Sequence, residues 1–417
     1  MKQIIFLFTT FILLGCNKNK AVSLDLKVGV AYQSINPELG AFIAGDKNNR
    51  RFTKIQDSLF VKAMVLSDSK TTMAFITYDC IGMLHPTLVE VRKQVSSRIS
   101  NSEFDPGNIV MTSSHTHSGP DVVGIWGPDQ MTSGVDPNYM ESVISKSVNA
   151  IETAWNNMHE TNIVYAEGDF GEDWVFNISD SLNLDRSLTT LQFLDKKGKS
   201  IATLNNFACH PTILDGRSNV VSSDYISSMY TYLDKNLGGV NFFLQGAIGG
   251  WVQPEYEPKT IESVKKRGNE LGEKIAELLK EPTKLSSESI KFNSSTFNLP
   301  VSNPNFQLLS KMGVINRKIT DSVSTEVAWF SIGNAQFVTH PGETTPTHSL
   351  KSKEMMTIQG PKFVIGLGMD ALGYILTPEF YEENPKVKHT EYLTRMSIDP
   401  KAGELLITEI KSLAKKN

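Results

Sequence analysis

The chain has 417 residues, with 41 Lys and Arg against 45 Asp and Glu for a formal net charge of −4, and it is 40% hydrophobic. That length buries ample core and fits one large catalytic domain or two closely joined smaller ones. Mild acidity with few charge runs argues against nucleic acid as a partner, and neither a long repeat nor a low-complexity linker interrupts the sequence.

The first residues read as a targeting segment. Lys2 gives a positive start, Ile4 to Leu14 an apolar run too short for a stable bilayer span, and Leu13-Leu14-Gly15-Cys16 an end that resembles a bacterial lipobox. Residues 1–16 are therefore expected to be a lipoprotein signal. Cys16 would carry the acyl chains that anchor an exported protein to a membrane, on its periplasmic or cell-surface face, and a plain cleaved signal is the alternative. Residues 17–23 read as a tether and 24–417 as the folded domain. Export permits disulfides. Cys80 and Cys209 each end an apolar run, which suits buried free thiols at least as well as a bridge.

Leu24 to Val30, Leu59 to Ser67 and Met73 to Thr77 read as strands, with turns at Asn36-Pro37 and Gly45-Asp46. The third ends in Tyr78-Asp79-Cys80, where Asp79 is either a binding carboxylate or a turn cap. Pro86 opens a helix carried by Leu88, Val91, Val95 and Ile99. The run Ile109-Val110-Met111 is a buried strand that leads into Ser113-Ser114-His115-Thr116-His117-Ser118-Gly119-Pro120. The strand-helix-strand unit favours an α/β architecture, with mixed β-sheets flanked by helices. If the extended conformation persists through Thr116, His115 and His117 share a face. They would then hold a metal, or pair one ligand with one proton carrier; solvated histidines at a polar strand end are the bland alternative.

Asp121 to Asn138, rich in Gly, Pro and Asp and holding Trp126, reads as a long loop rimming a site. A helix follows on Ile144, Val148, Ile151 and Trp155. Strands are expected at Asn162 to Tyr165, Leu188 to Leu194 and Ile201 to Cys209, the last two joined by the turn Asp195-Lys196-Lys197-Gly198. His210 follows directly. Further on come a helix at Tyr225 to Leu233, a strand at Val240 to Leu244, a glycine-rich turn at Gln245 to Gly250, and a helix on Val264, Leu271, Ile275 and Leu278. That turn is a tight bend or a place of backbone approach to a ligand. Val327 to Val338 reads as a hairpin turning at Gly333-Asn334, and its second strand ends in His340-Pro341-Gly342-Glu343-Thr344, where Glu343 is a candidate oxygen ligand. Phe363 to Gly366 leads to Tyr374-Ile375-Leu376-Thr377-Pro378, and Ala402 to Ala414 forms a closing helix.

Four of these polar strand ends occur together in a known order. The set SSHTHSGP, NFACHPT, THPGETTP and GYILTPEFY resembles the catalytic domain of the neutral/alkaline non-lysosomal ceramidases, from about Val28 to about Tyr381. The resemblance implies the neutral-ceramidase-like α/β catalytic fold. It also implies a Zn2+ ion on His115, His210, Glu343 and Tyr374, with His117 beside the metal as the catalytic proton carrier. Two imidazoles and a carboxylate suit zinc with room for water. The chain departs from the family at two turns. Gly249-Gly250-Trp251-Val252-Gln253-Pro254 stands where the family has a serine-bearing turn, and Ile178 stands where it has an arginine. The family's immunoglobulin-like C-terminal domain is expected to be missing.

These features predict a zinc hydrolase that cleaves an acyl bond of a lipid-like or other small substrate. Metal-activated water would attack and His117 would pass a proton to the leaving group. Three readings stand: an N-acyl lipid amidase, a hydrolase of another amide or ester such as a glycan- or peptide-linked acyl group, and a lipid-anchored binding protein that keeps the metal without catalysis.

Overall fold

The computed structural model describes residues 26–416 apart from 101, 103, 216, 217, 256, 257, 287 and 288. The expected signal, Cys16 and the tether lie outside the described residues. Among those described, no helix is long and apolar enough to cross a membrane.

The first third of the fold contains β1 (Lys27–Ser34), β2 (Lys54–Ile55), β3 (Phe60–Ser67), β4 (Thr72–Tyr78), α1 (His85–Ser96), β5 (Ile109–Ser113), α2 (Pro137–Asn156) and β6 (His159–Glu160). Its sheet runs β5-β4-β3-β1-β6, antiparallel except for the parallel β4–β5 pair that α1 joins. Every residue of β4 and β5 is buried, as a strand covered on both faces requires. α2 packs on β1 and β3, held at its start by Asp136, whose carboxylate accepts from Asn138 N. The other face of the sheet meets a second sheet.

That second sheet draws on β7 (Asn162–Asp169), β8 (Val175–Asn177), β9 (Ser187–Leu194), β10 (Ser200–Phe207), β11 (Val220–Val221), α3 (Tyr225–Asn236), β12 (Val240–Gln245), β13 (Val252–Pro254), α4 (Ile261–Leu278) and β14 (Thr283–Lys284). Its order is β12-β10-β9-β7-β14, with β10 and β12 parallel. Alternation divides its side chains. Leu191, Phe193, Leu204, Phe242 and Leu244 join the core shared with the first sheet, whereas Leu188, Phe207 and Phe243 join the core under α3 and α4. The four layers are thus helices, sheet, sheet, helices.

The last third holds β15 (Ile290–Pro300), α5 (Pro304–Lys311), β16 (Ser322–Ile332), β17 (Ala335–Thr339), β18 (Glu343–Thr344), α6 (Pro346–Met355), β19 (Lys362–Ile365), β20 (Tyr374–Ile375), α7 (Thr390–Arg395) and α8 (Ala402–Ala414). A sheet of order β15-β16-β17-β19 forms here, with β17 and β19 parallel, and α6 and α8 pack on it. The expected hairpin turn at Gly333-Asn334 is present, with Gly333 at φ 59. Cys80 and Cys209 are both buried free thiols.

Candidate functional site

Each of the three larger sheets contains a parallel pair, and the polar segments follow those pairs. β5 runs out to His115 and His117, β10 to His210, and β17 to Glu343. Ligand groups gather beyond the carboxyl ends of parallel strands because the chain must leave the sheet there. Hydrogen bonds tie the ends together: Thr112 Oγ1 donates to Gly366 O at 3.0 Å, and Asn206 Nδ2 donates to Leu244 O and Val364 O at 2.9 and 3.0 Å.

The histidine pair does not converge by strand alternation. β5 stops at Ser113, and His115 lies at φ 68 in the left-handed region. Its amide donates to Cys80 O at 2.9 Å, and Ser114 N donates to Tyr78 O at 2.8 Å, so the chain bends against the end of β4 instead of continuing extended. The rings still meet, with centroids of His115 and His117 5.0 Å apart and those of His115 and His210 4.9 Å apart.

The donor chemistry at this point is specific. His115 Nδ1 lies 2.5 Å from Ile81 O and His210 Nδ1 2.7 Å from Val252 O. A carbonyl only accepts, so each Nδ1 carries a proton and each Nε2 is turned into the site. Both Nε2 atoms face the same oxygen of Glu343, at 3.1 Å from His210 and 3.5 Å from His115. Burial holds His115 down to about 3 despite the pull of Glu343, with His210 and His117 adding to the depression. Burial alone pushes Glu343 up, but the three imidazoles outweigh it and hold the carboxyl below its usual value. Two imidazole Nε2 atoms and a carboxylate oxygen gathered at one point suit a cation, and backbone carbonyls behind the rings are the usual support of metal-bound histidine. The residues therefore fit a divalent metal. Candidate ligand atoms of His115, His117 and His210 also lie within 4.8 Å of one another, so a three-imidazole set including His117 is an equal geometric option.

His117 has a second attachment. Its Nδ1 is 3.3 Å from Asp215 Oδ2, an ion-pair distance without hydrogen-bond alignment, and its buried Nε2 has no hydrogen-bond partner among the described residues. Burial would lower His117, yet Asp215, Glu343 and Asp224 outweigh it and hold the imidazole above its ordinary value. Gly45 lies flat against this ring. A Cβ there would come within 2.7 Å of His117 Cβ, Cγ and Nδ1, and Gly45 is at φ 116, so both space and backbone demand glycine. Trp126 Nε1 donates to Gly45 O at 2.7 Å. The loop after Pro120 thus reaches the site through Gly45.

Tyr374 pairs with Glu343 in the parallel β18–β20 ladder, which sets their side chains on one face. Its hydroxyl accepts from Trp251 Nε1 at 2.7 Å. The two departures from the ceramidase pattern also meet, since Ile178 N donates to Trp251 O at 3.1 Å where β8 and β13 pair. In the glycine-rich turn the backbone approaches a neighbouring strand, with Gly249 N donating to Thr344 O at 2.8 Å beside Glu343.

Gln245, read in sequence only as the start of that turn, is fully buried and bridges the two histidine loops. Its side-chain amide donates to Ser114 O at 2.8 Å and to Cys209 O at 3.0 Å, the carbonyls just before His115 and His210. A lone glutamine at a strand end carries no sequence signal for this. Asp79 takes the capping role: its carboxylate accepts from Phe60 N at 3.0 Å, and burial pushes it up to about 6 against the pull of Lys62.

Residues 47–248 match the family described as neutral/alkaline non-lysosomal ceramidase, N-terminal. Neutral ceramidase B of Dictyostelium discoideum is 23% identical over 181 residues, covering 39% of this chain and 25% of that protein. Neutral ceramidase of Drosophila melanogaster is 23% identical over 236 residues, covering 51% of this chain and 33% of that protein. The matches thus span a quarter to a third of these curated relatives. Among solved structures, the neutral ceramidase from Pseudomonas aeruginosa superposes with a TM-score of 0.75 at 14% identity, over 94% of this chain and 75% of that one. A ceramidase complexed with C2 gives 0.76 at the same identity and coverage. At such identity the superposition establishes the fold alone.

Proposed function

This chain belongs to the neutral/alkaline non-lysosomal ceramidase family, and from that premise we propose that it is a zinc-dependent hydrolase of an acyl–nitrogen bond. His115, His210 and Glu343 would hold the metal, with Tyr374 as a further oxygen donor. The observation that carries this reading is the pair of imidazole Nε2 atoms facing one buried carboxylate oxygen.

Zinc bound there would supply a Lewis acid that polarises the scissile carbonyl and lowers the pKa of a nearby water towards neutrality. The chain's own groups do the rest. Ile81 O and Val252 O fix both ring orientations, so the imidazoles need no reorganisation as charge develops. His117, backed by Asp215, takes a proton from the attacking water and delivers it to the departing nitrogen. Water adds to the acyl carbon, the C–N bond breaks, and the products are a carboxylic acid and an amine. The Tyr374 hydroxyl donates to the oxyanion at that carbon. No serine nucleophile is required, which agrees with the serine-free turn at Trp251.

The test has two arms. Metal analysis of the purified protein should find zinc that is lost in both His115→Ala and His210→Ala, and unchanged zinc in either variant refutes the ligand set. Turnover of a panel of N-acyl amides and acyl esters should be abolished by chelator and restored by zinc; a zinc-loaded protein inert across the panel favours the binding-protein reading instead. We further propose export and lipidation at Cys16, tested by radiolabelled palmitate incorporation that Cys16→Ala abolishes.

A further inference from the structure

We propose that the rings of Trp251, His389 and Tyr392 form a stacking subsite for a cyclic, hydroxyl-bearing amine, so that the preferred substrate is an N-acylated amino sugar and not an N-acyl linear base. The proposal rests on the hydrolase reading above and names the substrate class of that site.

Trp251 lies at φ 63 and His389 at φ 58, both left-handed and neither glycine. Such conformations persist where surrounding structure enforces them, and they cluster at ligand sites. Here they bring three rings together, with Trp251 4.9 Å from His389 at 48° and 5.2 Å from Tyr392 at 40°. The group adjoins the candidate metal centre. The Trp251 indole N–H is committed to the Tyr374 hydroxyl, and the Tyr374 and Tyr392 rings are 6.4 Å apart. Burial pushes the Tyr392 hydroxyl up, and Glu343, Asp215 and Asp46 add to this against the pull of Arg395. Tyr392 is 37% exposed and His389 is exposed as well.

The indole N–H is turned to Tyr374, and of the three rings those of Tyr392 and His389 are the exposed ones, so contact with the substrate falls on them. An aromatic face matches the C–H face of a pyranose, whose hydroxyls then project sideways. The border of the candidate metal centre is polar: Asp215, 3.3 Å from His117 Nδ1, is 3.8 Å from Arg50, and Lys259 Nζ donates to Asp215 O at 3.0 Å. A flexible alkyl chain gains nothing from those charges and loses rotamer entropy on an open shelf. Ile178, at the position of the family's arginine, adjoins Trp251 through its backbone and brings no charge to compete for the same space.

The experiment uses the zinc-loaded chain and two amides sharing an octanoyl group, N-octanoylglucosamine and N-octanoylethanolamine. The glucosamide is expected to be preferred in kcat/KM on the order of ten-fold, the scale of one aromatic contact. Tyr392→Leu and His389→Ala should each bring the ratio towards one, chiefly through KM. Equal kcat/KM in the parent protein, or a ratio unmoved in both variants, overturns the subsite. If neither amide is cleaved, the hydrolase reading fails separately, and saturation-transfer NMR with glucosamine decides the subsite alone. A transfer signal that weakens in Tyr392→Leu supports it; a signal unchanged in that variant, or absent in the parent protein, overturns it.

Discussion

Replacing Glu343 by glutamine separates what its carboxylate does for the metal from what it does for the fold. In the metal-free protein the carboxylate oxygen lies 3.1 Å from His210 Nε2, a hydrogen-bond contact, and 3.5 Å from His115 Nε2, with both Nδ1 atoms turned to backbone carbonyls. Burial holds His115 down to about 3, so at neutral pH its Nε2 meets the carboxylate with no hydrogen between them. The glutamine amide turns a donor towards that lone pair, and the N–H···N bond formed contributes about 1 kcal/mol. It also removes a buried charge. The metal-free Glu343→Gln protein is therefore expected to be as stable as its parent, or up to about 2 kcal/mol more stable, by urea unfolding in chelator at neutral pH. Zinc affinity moves the other way. Loss of the single anionic ligand should weaken binding on the order of 100-fold, about 2.7 kcal/mol, read by competition with a chromophoric chelator. Unfolding in zinc then shows a smaller metal-dependent gain than in the parent. A metal-free variant destabilised by about 2 kcal/mol or more would refute the reasoning, because it would mean that an imidazolium–carboxylate pair occupies the site without metal. Undiminished zinc affinity would refute it equally.

Gly45→Ala should cost roughly 2 kcal/mol and weaken metal binding, since the new Cβ meets the His117 ring at 2.7 Å from a backbone at φ 116; denaturation and zinc titration of the variant check both. Gln245→Met removes the donor to Ser114 O and the acceptor of Cys209 N, while Cys209 O keeps the Tyr225 hydroxyl; each orphaned group costs about 1–3 kcal/mol, so a variant as stable as its parent contradicts the bridging role. Glu326 is held at about 2, against an ordinary 4.5, because its hydrogen bonds from His85 and Arg92 and the Arg92 charge outweigh burial. A carboxyl depressed on folding adds stability that is complete above its unfolded value and lost as pH falls from about 4.5 towards 2. Glu326→Gln should therefore lose about 3 kcal/mol at pH 7 and flatten the acid limb of the stability curve, with a parallel limb in both proteins as the contrary result.

The buried strands were readable from composition because both of their faces are covered. β4, β5 and β12 appear as largely apolar runs for that reason. Helices α1, α2, α3, α4 and α8 were readable because one face of each packs and the period is helical. β15 was not, since Asn293-Ser294-Ser295-Thr296 shows no apolar alternation and takes its register from β16. α6 escaped too, because its buried side chains include His348, Ser349 and Ser352, which find hydrogen-bond partners in Thr345, Asp185 and His340 respectively and leave no apolar stripe.

At the site, the residues by themselves pointed to His115, His117, His210 and Glu343 as candidates, since each stands in a polar segment after an apolar run and that transition is written locally, whereas Tyr374 entered only through the family resemblance. Only the tertiary structure decided how they meet. The left-handed turn at His115 is imposed by Cys80 O, the proton on each Nδ1 by Ile81 O and Val252 O, and the spacing of the two histidine loops by Gln245. The partners of His115 lie 34 and 35 positions back along the chain, that of His210 lies 42 ahead, and Gln245 is 131 residues from Ser114. Local propensity has no reach over such distances, so ring orientation and protonation belong to the packed fold.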